Sequence, residues 1–157
     1  MNVLHPPFVH FVIALPVAAL FSQLTYLATK DLTYSKAALR ILAFSLLVSF
    51  FAIYGGYIDA QKILQDHNIL DNGLNILKQH RNFGFVVVAI LFVATVTKYL
   101  AVAKESISYE KLSLIFIIIT ITATLYQGNK GGSLVYKYSA GIDSKIIKTR
   151  VEQSKNR

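Results

Sequence analysis

The chain has 157 residues, 54% of them hydrophobic and only 15% charged, with a net charge of +8 and a mean hydropathy of +0.50. That balance is too apolar for an ordinary water-soluble domain and describes an integral membrane protein. With no cysteine, the chain has no disulfide, no thiolate-held iron–sulfur cluster and no covalent haem, so any haem is bound non-covalently. There is also no phosphate-cradling glycine loop, nucleophile elbow or HExxH pair.

A helix needs roughly 20 mostly apolar residues to cross the hydrocarbon, and four stretches meet that length. The first, Phe8 to Ala28, carries no charge. Pro16 in its middle leaves the Val12 carbonyl without its helical donor and is expected to bend the helix. Because MNVLHPP has no basic residue ahead of the apolar run, a signal peptide is a poor account of the N-terminus, and Met1 is expected to be retained.

The second span runs from Ala37 to Ile58, with Arg40 in its first turn able to snorkel to the headgroups. The third begins near His80 and reaches Ala103; its uncharged heart is Phe83 to Thr97, and Lys98 and Tyr99 mark the far interface. Tyr26, Tyr57 and Tyr109 suit the same aromatic belts. The fourth, Leu112 to Gln127, is rich in β-branched residues that would suggest a strand in water, but an open-edged strand is excluded in lipid, so helix is expected. Its Thr120, Thr122 and Thr124 are expected to hydrogen-bond within their own helix or to a neighbour.

The fold class is therefore all-α, a four-helix antiparallel transmembrane bundle over residues 1–142, followed by a basic, solvent-exposed tail over 143–157. An even number of crossings puts both termini on one side with the long Asp59–Gln79 loop; the short Thr29–Lys36 and Lys104–Lys111 loops lie on the other. Within the long loop, His67 is expected to be exposed, and Ile69 to Leu77 has the pattern of an interfacial amphipathic helix. Basic residues flank both surfaces, and the balance leans toward a cytoplasmic histidine side. The tail has no interleaved aromatics, so its charge fits anionic lipid rather than nucleic acid.

The same parity gathers the chemistry. His5, at a helix start before Pro6 and Pro7, lies on the same membrane face as His10 and His80. Five helical residues turn about 140°, so His5 and His10 are not expected to share a side of the helix. Gly84 follows His80 by one turn, where its missing side chain would let a flat ligand come close. Gly55, Gly56 and Asp59 end the second span on this face, and Gly128, Gly131, Gly132 and Tyr136 end the fourth. The positive end of a helix dipole favours the neutral, metal-ligating form of imidazole at His10 and His80. Asp59, at a helix C-terminus, needs a partner such as Arg81 or a histidine N–H.

LHPPFVHFVIALP, YGGYIDA, HRNFG and GNKGGSLVYKYSAGI together resemble a bacterial four-span membrane family, domain of unknown function 2231, over Leu4 to Ile142. The resemblance implicates His5, His10, Asp59, His80, Gly131, Gly132 and Tyr136, and implies an association with redox modules such as Rieske domains. Tyr138 and Ser139 stand where the family tends to have His-Gly, so a tail histidine is not an obligatory ligand here.

Three readings follow for the cluster. His10 and His80 are axial ligands to a b-type haem, with Gly84 giving room and Arg81 or Lys130 near the propionates, in a small electron-transfer subunit of a bacterial cytoplasmic membrane. Alternatively, His5, His10, His80 and Asp59 hold a non-haem metal. In the third reading the same residues cap helices and bond across the bundle in a cofactor-free structural or assembly subunit. Membrane lipids are expected partners, with a redox partner or a second copy also possible; the chain reads more as a subunit than as an enzyme on its own.

Overall fold

The computed structural model describes residues 5–65, 67 and 69–156, so the expectation for Met1 lies outside the described residues. Four long helices, α1 (His5–Thr29), α2 (Leu32–Gln65), α3 (Asp71–Ala103) and α4 (Ile107–Tyr138), are followed by a shorter α5 (Ser144–Lys155). All four long helices are apolar enough over a sufficient length to cross a membrane, and no strand occurs among the described residues. Consecutive long helices pack on one another, and α1 against α4 closes the ring.

The bundle has the composition of a protein solvated by lipid. Its outside carries Phe11, Phe21, Phe44, Leu47, Phe50, Phe85, Phe92 and Ile118, all exposed, while Ala19, Ala38, Ser45, Ser49, Ala52, Ala94, Ala101 and Ser113 are within. Lipid chains are as apolar as leucine, so helices associate by close packing of small residues rather than by hiding large ones. One fully buried residue from each helix, Ala19, Leu42, Leu91 and Ile117, forms the apolar layer at mid-bundle. Hydroxyls at Thr95, Thr97, Thr120, Thr122 and Thr124 all bond to carbonyls three or four residues back in their own helices.

Several boundaries differ from the sequence reading. The Asp59–Gln79 segment is mostly helix: α2 continues to Gln65 and α3 starts at Asp71, so Asp71 to Leu77 are the first turns of α3 rather than a separate interfacial helix. Hydrophobicity marks only the lipid-embedded part, whereas backbone hydrogen bonding carries the helices past it; here Ile63, Leu134 and Ala140, with Ile69, Ile76 and Leu77, form an additional apolar cluster. His67 is exposed at the turn with φ 50°. The glycine-rich GNKGG is likewise helical and lies inside α4, which ends only where Ser139 turns left-handed at φ 57°. Helix α1 continues across the buried Pro16. The tail helix α5 has no buried residue and packs on none of the other helices.

Candidate functional site

At the histidine end the four helices meet through polar side chains. Asp59, buried near the end of α2, accepts the backbone N–H of His5 at 2.9 Å, satisfying a donor that an α-helix start leaves without a helical partner. Its partner is thus a histidine N–H, but the main-chain one; Arg81 is exposed. The His5 ring donates from Nδ1 to the Ala52 carbonyl at 2.7 Å. A carbonyl can only accept, so this bond places a proton on Nδ1 and leaves Nε2 as the ring nitrogen turned away from Ala52.

His80 comes from α3, across the bundle. Its ring meets that of His5 edge to face, with centroids 6.0 Å apart and planes at 88°. Gln127 of α4 donates to the His80 carbonyl at 2.8 Å and sets its amide nitrogen 3.4 Å from His80 Nε2. His80 Nδ1 and Gln127 Oε1 are buried and have no hydrogen-bond partner among the described residues. Buried polar atoms are seldom left so, because each costs about 1–3 kcal/mol unless a water, ion or ligand reaches it.

The glycines have a definite task here. A Cβ on Gly56 would stand 2.9 Å from His5 Nδ1, one on Gly131 would be 3.2 Å from His80 Cε1, and one on Gly84 would be 3.3 Å from Gln127 Nε2. They seat the two imidazoles and the amide against neighbouring backbones, so the clearance expected for a macrocycle at Gly84 is taken by Gln127. A Cβ on Gly132 would meet only Tyr136, at 4.0 Å, and Tyr136 is itself exposed. Lys130 donates to Gln79 at 3.1 Å and lies over the Tyr126 ring.

The sequence reading paired His10 with His80; the structure brings His5 to His80 instead. His10 is exposed, its Nδ1 donating to Pro6 O of its own helix at 2.6 Å. The reason is the helical angle between residues 5 and 10: when one imidazole faces the bundle, the other faces outward. Among the described residues no three His, Cys, Asp or Glu side chains converge as a metal-ligand group.

The opposite end holds a cluster that the sequence reading missed. Lys98 of α3, assigned there to the interface, is fully buried and ion-paired with Glu110 of α4. Its Nζ also donates to Ser35 Oγ of α2 at 2.9 Å and lies 5.3 Å from the Tyr26 ring centre. Ser35 in turn donates to Glu110 Oε1 at 2.6 Å, and Gln23 of α1 donates to Glu110 Oε2 at 2.8 Å. The overlooked signal is one of depth. Lys98 lies shortly before the end of α3 and Glu110 shortly after the start of α4, so an antiparallel hairpin sets the two charges side by side.

These features define a class, a multi-pass four-helix membrane protein with a half-buried imidazole pair at one end and an ion pair buried at the other. Within that class, the sequence model of a family described as predicted membrane protein (DUF2231) matches residues 2–144, and the chain belongs to that family. No curated protein and no solved structure matches it significantly.

Proposed function

We propose that the protein is a small electron-transfer subunit of the bacterial cytoplasmic membrane, in which His5 and His80 are the protein ligands of one haem b iron. The observation that carries the reading is the contact between these rings from different helices. His5 is held by the Ala52 carbonyl through Nδ1, and His80 Nδ1 is buried with no hydrogen-bond partner among the described residues. A histidine anchored to a carbonyl through one nitrogen is the usual preparation for ligating metal through the other. Two imidazoles on opposite sides of one ion, each nitrogen about 2 Å from it, would have centroids about 6 Å apart, but a macrocycle also needs lateral room, which Gln127 fills beside Gly84 and would have to vacate.

The ligand count favours haem over a bare ion. A structural or catalytic ion of the zinc type takes three or four protein ligands, and the described residues offer no such group. Haem iron takes four nitrogens from its own macrocycle and asks the protein for two axial ligands at most. A bound haem would supply reversible one-electron chemistry. The chain's part is to hold both rings, through Ala52 and Gln127, and to keep them from water.

The test is the oxidised and dithionite-reduced absorption spectrum of protein purified from haem-replete cells, with elemental analysis alongside. A redox-sensitive Soret band is expected, abolished by His5→Ala and by His80→Ala and retained by His10→Ala. Metal bound without a Soret band would replace haem by an ion. A colourless, metal-free protein would overturn the reading in favour of a structural subunit, whose bundle these same hydrogen bonds hold together.

A further inference from the structure

We propose that α5 lies on the membrane surface at the histidine end and binds anionic lipid headgroups. The helix follows α4 after only the short Ser139–Asp143 connection and is started by Asp143, whose side chain accepts the Lys145 N–H at 2.8 Å. It therefore begins close to the point where α4 leaves the bundle. It packs on none of the other helices, and Ile146, Ile147 and Val151 are exposed. At 100° per residue these three fall within an arc of about 140°, with Arg150 among them and Lys148 and Lys155 along one border.

The charge identifies the occupant. Between Ser144 and Lys155 stand Lys145, Lys148, Arg150 and Lys155 against the single acid Glu152, and Lys137 precedes them in the last turn of α4. Three aliphatic side chains are too little apolar surface to hold a helix on neutral lipid, whereas basic residues near an anionic surface add attraction one by one. The helix accordingly needs both terms and depends on the headgroup charge. This inference rests on the tail alone and is independent of what His5 and His80 ligate.

The natural lack of cysteine makes a clean test possible. Val151→Cys and, separately, Thr149→Cys, which lies about 130° from the middle of the apolar arc, are labelled with an environment-sensitive fluorophore in the full chain. Each is placed at one copy per nanodisc, in phosphatidylcholine with or without phosphatidylglycerol. Emission at position 151 is expected to rise roughly twofold or more with the anionic lipid and to fall back at high salt, with a smaller change at 149. Replacing Lys145, Lys148 and Lys155 by Gln should abolish the rise. Equal emission in both lipids, a rise that survives the triple replacement, or a rise seen only with two copies per disc would each overturn the proposal, the last in favour of a contact between copies.

Discussion

The two ends of the bundle use side chains from all four helices and reach opposite results. At the short-loop end Lys98 and Glu110 neutralise each other, and Ser35 and Gln23 occupy the remaining carboxylate positions. At the histidine end two imidazole rings meet edge to face, and His80 Nδ1 and Gln127 Oε1 have no hydrogen-bond partner among the described residues. In a low-dielectric interior a satisfied network rigidifies, whereas an incomplete one has a standing preference for whatever completes it. The first arrangement therefore acts as a clasp, the second as a receptor. The cross-bundle contacts also join helices that the ring of neighbours alone would leave apart.

The comparison breaks most visibly at the clasp. Removing one partner strands a buried charge, so Glu110→Ala or Lys98→Ala is expected to cost about 3–5 kcal/mol in detergent unfolding. The double change Lys98→Met with Glu110→Leu should recover much of that loss. If either single variant unfolds like the parent, the pair is not the clasp described. The receptor is probed by Gly56→Ala, whose new methyl would press on His5 Nδ1. About 1–3 kcal/mol of overpacking is expected, together with loss of any bound chromophore, while the double-variant behaviour at the far end stays unchanged.

Smaller effects sharpen the contrast. Ser139 holds the left-handed position that ends α4, where its family tends to have glycine, and its N–H bonds back to Leu134 and Val135 carbonyls. Ser139→Gly should raise stability by up to about 1 kcal/mol by relieving that backbone conformation. At the short-loop end Asp31 accepts the Thr33 N–H at 2.8 Å, and the Thr33 hydrogen bonds hold its carboxyl below the usual range. A lowered carboxyl pKa means the contact is present above the ordinary value near 4 and lost as pH falls through the lowered one. The Thr33 amide resonance should accordingly shift only at acid pH; movement near neutrality would contradict the assignment.

Hydropathy made the four spans, their parity and the common face of His5, His10 and His80 legible, because lipid rewards long apolar runs and leaves few alternatives to helix. It did not show how far the helices project beyond lipid, since Asp59 to Gln65 and Gly128 to Tyr138 lay outside the expected spans yet continue α2 and α4. Which imidazole faces inward also stayed hidden. Spacing showed that residues 5 and 10 diverge, but only packing against Gly56 and Ala52 selects His5. Glu110 was hidden by a boundary: beginning the fourth span at Leu112 placed the carboxylate in a loop, and Lys98 then looked like an interfacial anchor.

The excess length of the helices has a consequence for access. At 34 residues α2 is about 51 Å long, against about 30 Å of hydrocarbon. His80 and Lys98, eighteen residues apart on α3, are separated by about 27 Å, close to one hydrocarbon thickness. The helix ends past His80, joined by Ile63, Ile76, Leu77 and Leu134, thus form a roof over the imidazoles. Asp71 to Gln79 make that roof about 13 Å deep along α3. A water-borne partner would therefore meet the outer surface of that roof before it met the rings.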